Sequence, residues 1–221
     1  MIKAIFFDQD NTVLDTKKVS MEVYRKSISA IAESVNIDKA DIFEEWRRVL
    51  DTVKTSSDPK ERFFAFSLKL ALENLGANHF PILQAMDVFK DTLRDLITLT
   101  PGTADFFADE KQLLYILFTE DSAEINKVKM GKFSSELEFD LIVTSDDIGR
   151  MKPDERYVAS GWEKFNLKPE ECIYVGDSWE KDCQIGQERG GIGVVFGSDD
   201  ERADHSISNM MELVRIIEDN Q

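Results

Sequence analysis

The chain has little cysteine, a shortage of positive charge and no long hydrophobic run, and each lack excludes something. Its two cysteines, Cys172 and Cys183, show no CxxC or metal-ligand spacing, so neither a disulfide framework nor a zinc site is expected and the thiols read as reduced. Acidic residues outnumber basic ones 43 to 27, a formal charge of −16, which argues against general affinity for nucleic acid or for anionic membrane surfaces. The first apolar run extends only from Ala4 to Phe7 before Asp8 interrupts it. That is far short of a signal-peptide core or a membrane span, and a soluble cytoplasmic protein is expected. There is no internal repeat and no low-complexity tract.

What remains is the composition of a folded protein, 42% hydrophobic over 221 residues, long enough for one domain with an inserted module. Five β-rich apolar runs of strand length stand out: Lys3 to Phe7, Leu113 to Phe118, Leu141 to Thr144, Cys172 to Val175 and Ile192 to Phe196. From the second onward they alternate with helix-like stretches, the pattern of a Rossmann-like parallel sheet with helices on both faces. Between the first two runs the periodicity is helical. Tyr24, Ile28, Ile31 and Val35, then Ile42, Trp46, Val49 and Val53, form one-sided stripes. Asp58, Pro59 and Glu61 read as cap, first-turn proline and capping-box acid of a helix closed by Gly76, and Pro81 to Ile97 continues the pattern. The expectation is an α/β core domain over 1–15 and 99–221, interrupted by an inserted α-helical cap domain over 16–98, with a last helix from about Met210 to Glu218.

Four polar elements follow four different strands. Asp8 and Asp10 stand two residues apart where the first strand opens into a loop. Thr119 follows the second strand, Lys152 precedes Pro153, which is expected to start a helix, and Asp177 and Asp182 follow the fourth strand in Gly176-Asp177-Ser178-Trp179-Glu180-Lys181-Asp182. Alone, each has an ordinary reading: a turn cap, a helix cap, a solvated lysine. Together they lie at the carboxyl edge of one sheet, where open α/β folds bind ligands. Carboxylates converging there repel one another unless a divalent cation holds them, and an all-oxygen site suits Mg²⁺. With Lys152, the ion would make one cleft of an acidic protein attractive to a phosphoryl group.

Asp8-Gln9-Asp10-Asn11-Thr12, Thr119, Lys152 and Gly176-Asp177 with Asp182 match, in order, the four motifs of the haloacid dehalogenase superfamily. The chain resembles a phosphatase member of that superfamily with a helical cap. The resemblance covers the whole α/β body and implies hydrolysis of a small phosphorylated metabolite through an aspartyl-phosphate on Asp8. It makes Asp10 the general acid and base, with its backbone carbonyl on the metal, and gives Mg²⁺ the side chains of Asp8 and Asp177, with Asp182 completing the shell. Thr119 and Lys152 would hold the phosphoryl oxygens. Asp10 favours phosphate chemistry over dehalogenation, because members that remove halide usually lack this second aspartate.

Two positions depart from the family pattern: Asn11 replaces the usual glycine, a mild change since asparagine tolerates positive φ, and Glu120 stands where a small or amide residue is common. The cap implied by the resemblance sets specificity. Its cations Arg25, Arg47, Arg48, Lys54 and Arg62 read as solvated helix faces, and Trp46, Phe63, Phe64 and Phe66 as core. Rival readings are a phosphomutase or a dehalogenase of the same superfamily, a phosphonatase using a lysine such as Lys17 or Lys18, and a non-catalytic regulatory module on the same fold.

Overall fold

The computed structural model describes residues 1–108 and 113–221, which divide into two compact units, Met1–Lys17 with Ile97–Gln221, and Lys18–Leu96. The crossings fall at 17/18 and 96/97, two residues from the expected boundaries at 15/16 and 98/99.

The first unit is built on a six-stranded, wholly parallel sheet: β1 (Ala4–Asp8), β2 (Leu114–Phe118), β3 (Leu141–Val143), β4 (Cys172–Gly176), β5 (Ile192–Phe196) and β6 (His205–Ile207), in the order β3-β2-β1-β4-β5-β6. All five residues of β1 are buried, which is why the central strands read as unbroken apolar runs: both faces are covered. The period of two sends Phe6 and Phe7 to opposite faces. Phe6 stacks on Tyr174 with ring centroids 5.1 Å apart, while Phe7 meets Phe107 at 5.4 Å and Tyr115 edge-on at 5.6 Å. The sixth strand was not expected. It is three residues long with only Ile207 buried, so it carries no apolar run to find.

The second unit is helical: α1 (Ser20–Val35), α2 (Lys39–Val53), α3 (Pro59–Arg62), α4 (Phe64–Asn74) and α5 (Ile82–Leu96). The expected stripes turn inward through Ile28, Ile31, Ile42, Trp46 and Val49, all buried. Tyr24, Trp46, Phe64 and Phe89 form an aromatic centre with neighbouring centroids 4.6 to 5.9 Å apart, and the buried Trp46 Nε1 donates to Ser67 Oγ at 2.9 Å. The single helix expected between Asp58 and Gly76 is two. Its backbone turns extended at Phe63 (φ −71°, ψ 148°), and the break swings Phe64 into the aromatic centre, a burial that outweighs continuity of one helix. Asp58 caps α3 through the Lys60 N–H, but Glu61 accepts from Ser56 Oγ instead of closing a capping box.

Around the sheet run α6 (Thr103–Ala108), α7 (Ala123–Gly131), α8 (Ser145–Ile148), α9 (Arg156–Phe165), α10 (Gln184–Gln187) and α11 (Glu212–Asp219). Pro153 does not start a helix. The Lys152–Pro153 bond is cis, and α9 begins three residues later at Arg156. Among the described residues, no helix is long and apolar enough to cross a membrane.

Candidate active site

The strand order reverses at β1. Its neighbours are β2, with β3 beyond, on one side and β4, with β5 and β6 beyond, on the other. Loops leaving β1 and β4 therefore part at their carboxyl ends and open a crevice, the usual ligand position in open α/β sheets. Asp8 ends β1, and Asp177 directly follows the Gly176 that ends β4. One turn of π-helix, Trp179–Cys183, then brings Asp182 back toward the sheet. That return is close: a Cβ on Gly176 would sit 2.2 Å from Asp182 Cβ, so only glycine leaves room for the Asp182 side chain.

Asp8, Asp177 and Asp182 each present one carboxylate oxygen, all within 4.8 Å of one another. Asp8 and Asp182 are buried and Asp177 lies at the exposed rim. The buried Lys152 ammonium donates to Asp8 Oδ1 and, at 2.6 Å, to Asp182 Oδ1. Thr12 Oγ1 donates to Asp8 Oδ2 at 3.0 Å, and the Ser178 N–H to Asp182 Oδ2 at 3.0 Å. Of the residues singled out from the sequence, these four, Asp8, Lys152, Asp177 and Asp182, come together.

The other two are held nearby through different partners. Thr119 is buried at the end of β2, donates to Gln9 Oε1 at 3.0 Å and accepts from the Asp121 N–H at 3.1 Å. Asp10 directs both carboxylate oxygens at Lys129 Nζ, at 2.6 and 2.8 Å, and the same ammonium lies 2.6 Å from Asp121 Oδ2. Neither Lys129 nor Asp121 was picked out from the sequence. The available signal was a lysine on the inward stripe of α7, between the buried Asn126 and Met130.

The two departures from the family pattern acquire definite partners. Asn11 takes the left-handed conformation (φ 62°) and uses its side chain as a bridge. Its Nδ2 donates to Asp177 Oδ2 at 3.2 Å, and its Oδ1 accepts from the Lys17 N–H at 2.7 Å and Thr16 Oγ1 at 3.1 Å. Glu120 accepts from the Lys152 N–H at 3.0 Å and from Lys181 Nζ at 2.8 Å, bracing the loop that carries Lys152.

Electrostatics follow from burial. Desolvation pushes the Asp8 carboxyl up to about 7, against the pull of Lys152 and with further upward pressure from Asp182 and Asp10. Burial likewise raises Asp182 and Asp177, and Asp121 to about 6. Burial works against the Lys152 ammonium, but Asp182 and Asp8 outweigh it and hold it above the ordinary lysine range. One ammonium between two buried carboxylates, with a third at the rim, leaves the cluster short of positive charge. Hard oxygen donors this close fit a divalent cation, and Asp8, Asp177 and Asp182 are the side chains that would hold it.

Comparison with known proteins finds relatives over nearly the whole chain. The glyceraldehyde 3-phosphate phosphatase of Methanopyrus kandleri is 27% identical, with 98% of this chain and 97% of that protein covered. The enzyme of the same name from Methanocaldococcus jannaschii is 26% identical, with the same coverage. Among solved structures, a HAD phosphatase from Thermococcus onnurineus superposes with a TM-score of 0.74 over 98% of both chains at 20% identity, a likeness of fold. The sequence profile of the haloacid dehalogenase-like hydrolases matches residues 2–190, from the strand that delivers Asp8 past the turn that returns Asp182, and the chain belongs to that family.

Proposed function

We propose that this chain is a Mg²⁺-dependent phosphatase that hydrolyses the monoester of a small phosphorylated metabolite, with Asp8 as nucleophile. The observation that carries the reading is the meeting of Asp8, Asp177, Asp182 and Lys152 at the carboxyl edge of β1 and β4. A carboxylate oxygen of Asp8 attacks phosphorus, the bond from phosphorus to the ester oxygen breaks, and Asp10 gives its proton to the departing oxygen. Water then attacks the aspartyl-phosphate, Asp10 takes the water's proton, and Asp8 and inorganic phosphate are released. Lys152 and Thr119 hold the phosphoryl oxygens, and Lys152 keeps the Asp8 carboxylate aimed. Asp8, the backbone carbonyl of Asp10, Asp177 and Asp182 would bind the metal, which when present supplies positive charge against the phosphoryl oxygens.

The relatives named for glyceraldehyde 3-phosphate align over nearly the whole of this chain, which supports a short sugar phosphate as the substrate class. In this reading the helical unit serves as the cap domain, and the reaction belongs to the cytoplasm, where such metabolites occur. Turnover of p-nitrophenyl phosphate and glyceraldehyde 3-phosphate, followed as released phosphate, is the test. Both should be hydrolysed with Mg²⁺ and not with EDTA, and Asp8→Asn should abolish both activities. Full activity in Asp8→Asn would end the nucleophile assignment.

A further inference from the structure

The reaction as written leaves one buried cation without a role. Lys129 lies on α7, its side chain 7% exposed, and its ammonium contacts both oxygens of Asp10 and one of Asp121. Asp10 is different in kind: its side chain is 35% exposed, it sits on the loop after β1, and the negative charge of Asp8 repels it. A short carboxylate in that situation relaxes toward solvent, away from the buried carboxylate, unless something holds it. The ammonium cannot follow it outward, because its stem is packed in the α7 interface and Asp121 anchors it from the other side.

We propose that Lys129 is a positioning residue that fixes the Asp10 carboxylate at the reacting oxygen, with Asp121 as its second anchor. This rests on the reading of Asp10 as acid and base. Positioning matters because a general acid acts only within hydrogen-bond reach of the departing oxygen, and a misplacement of about 1 Å costs on the order of a hundredfold.

The assay separates positioning from mere structure by the leaving group. An alkoxide leaves with difficulty unless it is protonated, whereas p-nitrophenolate departs without a proton. The value of kcat/KM reports the steps through that departure. The readout is the ratio of kcat/KM for glycerol 3-phosphate to that for p-nitrophenyl phosphate, in the full chain with Mg²⁺. Lys129→Met is expected to lower this ratio by about tenfold or more, since general acid assistance is typically worth about 10² to 10⁴. Lys129→Arg, which keeps the charge, should return it to within about threefold of the parent.

Asp10→Asn in parallel tells the two ideas apart. If it lowers the ratio and folded Lys129→Met does not, the positioning proposal is overturned while the acid assignment stands. If Asp10→Asn leaves the ratio unchanged, both fall. A Lys129→Arg ratio as low as that of Lys129→Met would overturn the role of the charge. Should circular dichroism show Lys129→Met unfolded, Asp121→Asn decides: loss of the second anchor should lower the ratio by about threefold, and an unchanged ratio overturns the proposal.

Discussion

Replacing Asp8, the proposed nucleophile, should make the metal-free protein more stable. Asp8 is 5% exposed, and its carboxyl is raised from 3.8 to about 7, first by burial, so the folded protein holds this proton more tightly than the unfolded chain. Stability from such a group is full below the unfolded value and is lost as pH rises through the folded one, here between 3.8 and about 7. Above that window the folded state carries a buried carboxylate it would rather protonate. Three pK units correspond to about 4 kcal/mol.

Asp8→Asn removes that charge with little change of shape. The amide oxygen can accept from Lys152, and the amide nitrogen can donate to Thr12 Oγ1, the group that now donates to Asp8 Oδ2. In EDTA at pH 8 the variant should therefore melt higher than the parent, by roughly 10 °C for the full 4 kcal/mol. The gap should fall to less than half by pH 5, where the parent has regained most of its proton. Mg²⁺ should reverse the order by stabilising the parent more, because the variant lacks one of the proposed ligands. Thermal melts followed by circular dichroism at pH 5 to 8, with and without Mg²⁺, decide it. A variant that melts below the parent at pH 8, or a gap that ignores pH, would refute the claim that Asp8 is held against its own desolvation.

Gly176→Ala puts a Cβ 2.2 Å from Asp182 Cβ and 2.3 Å from its Cγ, so Asp182 must leave Lys152. Phosphate release at saturating Mg²⁺ should fall by about tenfold or more, and parental turnover would mean that Asp182 can shift without loss. Trp46→Phe empties part of the aromatic centre and deletes the 2.9 Å bond to Ser67. Urea titration should register a loss of about 2 kcal/mol, and a change under about 0.5 kcal/mol would contradict the packing described. Burial pushes the Cys172 thiol up to about 12 and raises Cys183 as well, and both side chains are fully buried. A disulfide reagent at pH 8 should titrate no thiol in the native protein and both in urea, whereas rapid labelling of the native chain would show the sheet to be open.

What could be read in the sequence, and what could not, divides along physical lines. A central parallel strand buries both faces, so β1, β2, β4 and β5 announce themselves as apolar runs, and the polar residues that follow the runs of β1, β2 and β4 mark the sheet's carboxyl edge. Asp8, Thr119, Asp177 and the turn to Asp182 were legible for that reason. β6, with one buried residue in three, has no such signature. The break at Phe63 was hidden because helical propensity runs straight through it, and only the demand of the aromatic centre decides that Phe64 turns inward. Lys129 was the deeper omission. Its bond to Asp10 spans 119 residues, and α7 has too weak an apolar stripe to show which of its two lysines points inward. Asn11 and Glu120 were visible as oddities, but their use as bridges to Asp177 and to the Lys152 loop exists only once three loops share one edge.

Charge ties these observations together. Among the described residues, the buried lysines are Lys129 and Lys152, and each ammonium is shared by two carboxylates, Asp10 with Asp121 and Asp8 with Asp182. Adding Asp177 gives five carboxylates against two ammoniums, a surplus of three negative charges in a chain whose formal charge is already −16. An anionic substrate does not approach such a place unaided. Under the proposed chemistry, a divalent cation removes two of the three and the proton that Asp10 must carry into the first step removes the last. The site is then neutral in the one protonation state that can start the reaction. Without the cation the surplus would repel the phosphoryl group, so in this reading metal binding has to precede substrate binding.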